Sequence, residues 1–341
     1  MLLATFFLML FGLFNIIGIR ENSFFTQLIY FLIGFIAYFV VINIGRHFFS
    51  KNSTFFYWFF IGLLLLTFVI GLEVKGSRRW IDLFVFRFQA SEIFKIFFIL
   101  FFADYFSKIT KFSNSFNYFL KAIFYFFIPT IIIYLQPDLG NAMVYVFIFI
   151  IMLLFSPYPK KFLLYLLGFF AATLPFIWIF LHDYQRNRIL SFFNPHIQQQ
   201  STAYNMIQSM ITIGSGNFFG KGLGLGTQSR LAFLPEHFTD FAFASLVEQF
   251  GFLGGFLVLS CYFIILLILL RKLIFLYNQH NKDGIRRFNY VLGFITFLFF
   301  QIIVNIGMNL GIMPIAGISL PFISYGGSSV MAVMVGLALV P

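Results

Sequence analysis

Asp240 stands where a long polar tract, His182 to Asp240, gives way to an apolar run, in the stretch Phe233-Leu-Pro-Glu236-His237-Phe238-Thr239-Asp240. The chain holds 11 acids against 22 basic residues, so a carboxylate at that boundary asks for a chemical reason. One reading is a transfer site for a phosphate-bearing substrate, since this acid lies near several basic residues on the predicted outer side. The other is a helix cap, with Thr239 or Asp240 starting the helix that opens near Phe241. Glu236 would share that helix face, but Pro235 keeps the helix from starting earlier.

A second pair lies in Ser91-Glu92-Ile-Phe-Lys95, where the i, i+3 spacing puts both charges on one helix face. Charges entering a membrane helix are costly unless partnered or facing a polar cavity, which favours a functional pair over a mutually neutralised lock between helices. Upstream, Lys75-Gly-Ser-Arg78-Arg79-Trp80-Ile-Asp82 sets guanidinium forks beside an indole, a combination suited to a phosphate near a membrane interface. The polar tract adds Gln208-Ser209 and the glycine-dense Phe219-Gly220-Lys221-Gly222-Leu-Gly224-Leu-Gly226. Such glycines either let backbone N–H groups approach an anion or form a flexible loop without a ligand. A nucleotide P-loop is excluded, because Ser215 and Gly222 occupy places that need glycine and Ser or Thr. Cys261 is the only cysteine, which rules out an intramolecular disulfide and a cysteine metal cluster, and the five histidines are scattered.

The elements that must position these groups are membrane helices. With 61% hydrophobic residues, 10% charged and a mean hydropathy of +0.95, the chain is a polytopic membrane protein and all-α, since backbone in lipid must satisfy its own hydrogen bonds. Ten apolar runs are expected as helices, near 2–19, 24–44, 54–71, 92–107, 117–135, 141–156, 161–181, 241–270, 288–310 and 320–341. With the amino terminus cytoplasmic, Arg46, Lys51, Lys108, Lys111, Lys160, Lys161, Arg271, Lys272, Lys282, Arg286 and Arg287 fall in inside connections, as short cytoplasmic loops prefer. Lys75, Arg78, Arg79 and Arg87, with Arg186, Arg188, Lys221 and Arg230, then fall in two outside loops; long outside loops translocate almost regardless of charge, but the clustering favours an anionic ligand there, and no nucleic-acid footprint is seen. Between Asn305 and Ser329, Gly and Pro repeatedly break helix at membrane depth, which fits either a cavity lining or a tightly packed hairpin.

Taken in order, these segments resemble the SEDS family (shape, elongation, division, sporulation), from about Gly71 to Leu337. The resemblance is carried by Gly76-Ser-Arg-Arg79-Trp80-Ile, Phe88-Gln-Ala-Ser91-Glu92-Ile-Phe-Lys95, Gln136-Pro-Asp138-Leu-Gly140, Gln208-Ser209, Gly220-Lys221-Gly222, Leu234-Pro-Glu236 through Asp240, and Leu320-Pro-Phe-Ile-Ser-Tyr-Gly-Gly-Ser-Ser329. Trp80-Ile-Asp-Leu and Gly226-Thr-Gln-Ser-Arg-Leu-Ala-Phe-Leu-Pro look more like the elongation members, RodA, than the division members, FtsW.

The resemblance implies one membrane domain over residues 1–341, ten transmembrane helices, and a large extracytoplasmic loop, 182–240, between the seventh and eighth. It implies a glycosyltransferase of the bacterial cytoplasmic membrane that polymerises lipid II into peptidoglycan strands on the outer face during cell elongation and releases undecaprenyl diphosphate. Asp240 is the expected catalytic residue, assisting deprotonation of the acceptor hydroxyl. Arg79, Trp80, Glu92, Lys95, Gln208, Ser209, Lys221, Glu236 and Thr239 are the expected substrate-binding set, with Arg79, Lys95 and Lys221 facing the diphosphate and Glu92 orienting Lys95. A divalent cation, Mg2+ or Mn2+, is implied for the diphosphate without an assigned ligand set, and no nucleotide cofactor is expected. The implied partners are a class B penicillin-binding protein that cross-links the product and other elongation-complex proteins, besides membrane lipid. Two alternatives are a flippase for the same lipid and a non-catalytic scaffold for that partner. The chain departs from the family pattern at Phe238, where a histidine is usual, at Ala90 in place of proline, and at Gln249 in place of a second glutamate.

Overall fold

The apolar runs are helical over most of their length, as backbone without water to bond must be, except that the last is helical only in part. The structure is a computed structural model and describes residues 1–74, 77–82, 87–108, 115–156, 159–181, 183–193, 202–279 and 281–341. Lys75, Gly76, Leu83, Lys111, His182 and the Lys160 side chain lie outside the described residues. The helices are α1 (Leu2–Ile19), α2 (Phe24–Ile44), α3 (Arg46–Lys51), α4 (Ser53–Ile70), α5 (Ala90–Ser107), α6 (Ser115–Leu135), α7 (Leu139–Phe155), α8 (Lys160–Phe180), α9 (Asp183–Phe193), α10 (Thr202–Ser215), α11 (Thr227–Arg230), α12 (Ala242–Tyr277), α13 (Lys282–Asn309) and α14 (Gly327–Leu339). Six of them, α1, α2, α4, α6, α12 and α13, are long and apolar enough to cross a membrane by length and composition. The last apolar run is helical only from Gly327, because Leu320 to Ser324 form turns, and α12 runs on to Tyr277. The polar tract between α8 and α12 is not an open loop, since α9, α10 and α11 occupy much of it.

The described chain packs as two compact units, one of residues Met1–Ile33, Leu181–Ile268 and Phe299–Val330, the other of Gly34–Phe180, Leu269–Leu298 and Met331–Pro341. They are called the first and second unit below.

In the second unit, α4 packs on α5, and α7 packs on both α5 and α6. Helix α5 carries Glu92, Lys95 and Asp104, yet every residue in it except Tyr105 is buried, so protein rather than lipid surrounds its charges. The aromatic residues do this packing: Phe60 stacks on Phe97 at 4.7 Å, Tyr57 on Phe101 at 4.3 Å and Phe126 on Phe149 at 4.4 Å. Pro129 inside α6 cannot donate to the carbonyl of Tyr125, and the Tyr57 hydroxyl donates to that carbonyl instead, at 2.6 Å. Between α4 and α5 the basic stretch forms a small antiparallel sheet, β1 (Leu72–Val74), β2 (Ser77–Asp82) and β3 (Arg87–Phe88), with Leu72 opposite Trp80 and Ile81 opposite Phe88.

In the first unit, α12 is broken at Gly251, whose φ of 70° no helix allows. The break strips helical partners from nearby backbone groups, and the glycine loop after α10 supplies new ones. Phe252 and Leu253 donate to the carbonyls of Asn217 and Phe218 at 2.9 and 3.1 Å, while Lys221 and Gly222 donate to those of Glu248 and Gln249 at 2.9 and 3.0 Å. The two backbones run so close that a Cβ on Gly220 would stand 2.1 Å from the Gln249 carbonyl oxygen, and one on Gly251 would stand 2.3 Å from the Gly220 nitrogen.

Candidate functional site

Asp240 is half-buried in the first unit, on the turn that leads into α12. The backbone around it is fastened carbonyl by carbonyl. The carbonyl of His237 accepts from the Ser245 hydroxyl at 2.7 Å, that of Phe238 from Tyr325 N–H at 2.8 Å, and that of Thr239 from the Ser324 hydroxyl at 2.6 Å. The Asp240 carbonyl itself accepts from both Asn305 and Asn309 side-chain amides, at 3.0 and 3.1 Å. These asparagines lie one turn apart on α13 and are fully buried, and Asn309 Oδ1 also accepts the Ala244 N–H at 3.1 Å. The first turn of α12 thus draws a side-chain acceptor from α13. Beneath the turn, Met206, Leu234, Phe241, Ala244, Met308 and Ile315 form a core that fixes its height. Backbone held this way fixes the point from which the Asp240 carboxylate extends.

Gly317 opens the space next to it. A Cβ at Gly317 would lie 3.6 Å from Asp240 Oδ2 and 3.6 Å from Arg188 Nη1, so carboxylate and guanidinium flank one glycine, which sits at a φ of 67°. Arg188 on α9 also donates to the Ile315 carbonyl at 3.4 Å, which ties it to the same strip of backbone.

The neighbours expected from sequence fall into distinct settings. Thr239 donates to Glu236 Oε2 at 2.9 Å, closing a short turn in which Glu236 adopts a φ of 51°. Ser209 is buried and donates to the Asn309 carbonyl at 2.9 Å, so it links α10 to the asparagine clamp, while Gln208 Oε1 is buried without a partner among the described residues. Lys221 is 3.3 Å from Glu248 Oε1 and donates to the Thr227 hydroxyl at 2.9 Å. Phe238, at the departure from the family pattern, carries the Arg20 guanidinium 5.1 Å above its ring and meets Tyr325 edge-on at 6.0 Å. His237 is half-buried, with Nδ1 2.7 Å from the Leu234 carbonyl, which makes Nδ1 the protonated nitrogen. Burial holds its imidazole below the usual 6.5, because the charged form is disfavoured.

In the second unit Lys95 is fully buried and pairs with Glu92 Oε1 at 2.8 Å, with its ammonium 5.4 Å from the centre of the Phe297 ring. Glu92 Oε2 and the Ser91 hydroxyl are buried without partners among the described residues. Arg79 on β2 reaches Asp138 Oδ1 at 3.3 Å and donates to the Ser77 hydroxyl at 2.8 Å. Asp138 is buried and accepts further from Gln89 at 3.0 Å and from Asn141 at 2.8 Å, which clamps the sheet to the start of α7. Trp80 is half-buried on the same strand.

Asn305, Asn309, Ser324, Arg188, Glu248 and Asp138 do this positioning and were not among the expected site residues. Two asparagines spaced i, i+4 in an apolar helix were the legible signal for the first two, since buried amides must find partners. Among the described residues no three His, Cys, Asp or Glu side chains gather as a ligand set, and no step is routed through a divalent cation.

Comparison with known proteins gives a consistent picture. The family described as "Cell cycle protein", FtsW/RodA/SpoVE, matches residues 2–341. The chain is 37% identical over 287 residues to the peptidoglycan glycosyltransferase MrdB of Escherichia coli, covering 83% of this chain and 76% of that protein. It is 33% identical over 334 residues to the probable peptidoglycan glycosyltransferase FtsW of Wigglesworthia glossinidia brevipalpis, covering 95% and 85%. A chain solved in work on the coordination of polymerization and crosslinking by a peptidoglycan synthase complex superposes with a TM-score of 0.81 at 26% identity, over 99% of this chain and 95% of that one. With its six long apolar helices, the protein is a multi-pass membrane protein.

Proposed function

The chain belongs to the FtsW/RodA/SpoVE family, and from that premise we propose that it is a peptidoglycan glycosyltransferase that polymerises lipid II on the outer face of the cytoplasmic membrane. The observation that carries the reading is Asp240, held through its own carbonyl by Asn305 and Asn309, with its carboxylate beside Gly317 and the Arg188 guanidinium.

Polymerisation breaks the anomeric C–O bond to the diphosphate and forms a new one to an acceptor sugar hydroxyl. Asp240 accepts the proton of that hydroxyl as the new bond forms, while cations stabilise the leaving undecaprenyl diphosphate. Lys95, Lys221 and Arg79 each lie within 3.3 Å of an acid, Glu92, Glu248 and Asp138 respectively, so much of their charge is matched locally. Arg188, which flanks Gly317 together with the Asp240 carboxylate, joins them as a candidate for the diphosphate. Glu92 orients Lys95, and its second oxygen, buried without a described partner, is available to a substrate hydroxyl. Gln208, Glu236, Thr239 and Trp80 complete the binding set, and Ser209 acts through Asn309.

The higher identity to MrdB supports an elongation role over a division role, in agreement with the Trp80-Ile-Asp82 sequence. The likeness to a chain of a peptidoglycan synthase complex supports a cross-linking partner, a class B penicillin-binding protein, and the basic residues of the short connections support a cytoplasmic amino terminus. Purified protein given lipid II is expected to form glycan polymer, and Asp240→Ala is expected to abolish it. Full polymerisation by that variant would remove the reading, and lipid translocation in liposomes without polymer would replace it with a flippase.

A further inference from the structure

Within the second unit, the short helix α3, Leu100 of α5, the start of α13 and the end of α14 converge on a cavity of about 180 Å³. Arg46, Ser50, Asp283, Arg286, Arg287 and Tyr290 line it. Its positive charge is not cancelled. Arg286 is matched by Asp283 at 2.8 Å and approaches Asp104 at 3.9 Å, but among the described residues Arg46 donates only its Nε–H, to the Ala338 carbonyl at 3.1 Å. Arg287 is exposed and pairs with no acid among the described residues. The Tyr290 hydroxyl donates to the Gly336 carbonyl at 2.9 Å, which sets the floor.

The position of the cavity selects its ligand. Helices α2 and α4, on either side of α3, are both long and apolar enough to span, so the cavity stands at the level where spanning helices meet water. It falls on the side where the basic connections gather. Phe48 on α3 and Phe55 on α4 are exposed at 48% and 65%, which offers apolar surface beside the arginines. Two guanidinium groups with spare N–H donors beside exposed apolar side chains match a phosphodiester attached to acyl chains.

We propose that this cavity binds the phosphate of an anionic glycerophospholipid from the adjoining leaflet. The site is separate from the Asp240 turn and independent of the reaction assigned there.

The test is native mass spectrometry of the full-length protein in detergent, titrated with phosphatidylglycerol, phosphatidylcholine or inorganic phosphate. Phosphatidylglycerol is expected to bind on the order of tenfold more tightly than phosphatidylcholine, and each arginine is expected to contribute about fivefold. Arg287→Gln should weaken binding about fivefold and Arg46→Gln with Arg287→Gln further. Arg271→Gln, on exposed α12 surface outside the cavity, should leave it unchanged. Because Arg287 makes no described ion pair, its variant is a fair test even if the Arg46 variant unfolds. Undiminished binding by Arg287→Gln, an equal loss in Arg271→Gln, or equal affinity for phosphatidylcholine would each overturn the proposal. Displacement of the lipid by inorganic phosphate at equal concentration would overturn it too, assigning the cavity to a free anion.

Discussion

Glu248 Oε1 lies 3.3 Å from the Lys221 ammonium and joins two elements that are 27 residues apart in sequence. The same carboxylate accepts the Gln228 N–H at 2.9 Å, the Ser229 N–H at 3.0 Å and the Ser229 hydroxyl at 2.6 Å. Glycine loop and α12 are therefore latched by a side chain as well as by backbone.

Removing that latch should cost stability. Glu248 is fully buried, so Glu248→Ala leaves the buried Ser229 N–H and the part-buried Gln228 N–H without their acceptor, a loss of about 1–3 kcal/mol. The melting midpoint in detergent should fall and trypsin should cut after Lys221 sooner. An unchanged midpoint would mean that the backbone splice holds the loop alone.

Gly317→Ala tests the opening beside Asp240. The new methyl meets Asp240 Oδ2 and Arg188 Nη1 at ordinary contact distance, so the fold pays chiefly for φ near 67°, about 1–2 kcal/mol. It occupies the approach to the carboxylate, so lipid II polymerisation should slow on the order of tenfold to a hundredfold. Wild-type rates would place the acceptor's path elsewhere.

The buried Glu92 and Lys95 pair separates structure from chemistry. Lys95→Met alone strands a buried carboxylate and should destabilise by about 3–5 kcal/mol, as should Glu92→Gln alone. The double variant should regain most of that stability and still fail to polymerise lipid II. Polymer from the double variant would reduce the pair to a helix lock.

His237 sets a pH dependence of stability. Its folded-state imidazole titrates below the unfolded value near 6.5, so as pH falls the unfolded chain takes up its proton first. Stability present above about pH 6.5 is then lost progressively towards the lower folded value. His237→Asn, whose amide can donate to the Leu234 carbonyl, should flatten that acid limb in melts between about pH 8 and pH 5. Superimposable limbs would show that another group is responsible.

The helices were legible because lipid admits little else, and the Glu92 and Lys95 pairing because i, i+3 spacing is a local geometry. The sheet that presents Arg79 was not, since short strands carry little periodic signal and these were read as a basic loop. The setting of Lys221 was hidden for a different reason. Its glycines suggested room for an anion, whereas Gly220 makes room for the carbonyl of Gln249, a neighbour that only the break at Gly251 creates. The Asp240 turn was found from its sequence, but the amides that hold it come from α13, and spacing says nothing about which distant helix supplies a partner.

Gln249 donates to the Asn15 side chain, 234 residues away in sequence, at 2.8 Å and accepts the Gly224 N–H at 3.1 Å, so one amide splices α1 to the glycine loop. A glutamate could not make both bonds, because an ionised carboxylate has no hydrogen to give. Asn15 also donates to the Ala242 carbonyl at 3.1 Å, two residues beyond Asp240. Helix α1 is therefore not an interchangeable anchor. Replacing it with a foreign apolar segment of equal length would preserve insertion in the membrane and still loosen both the loop and the entrance to α12.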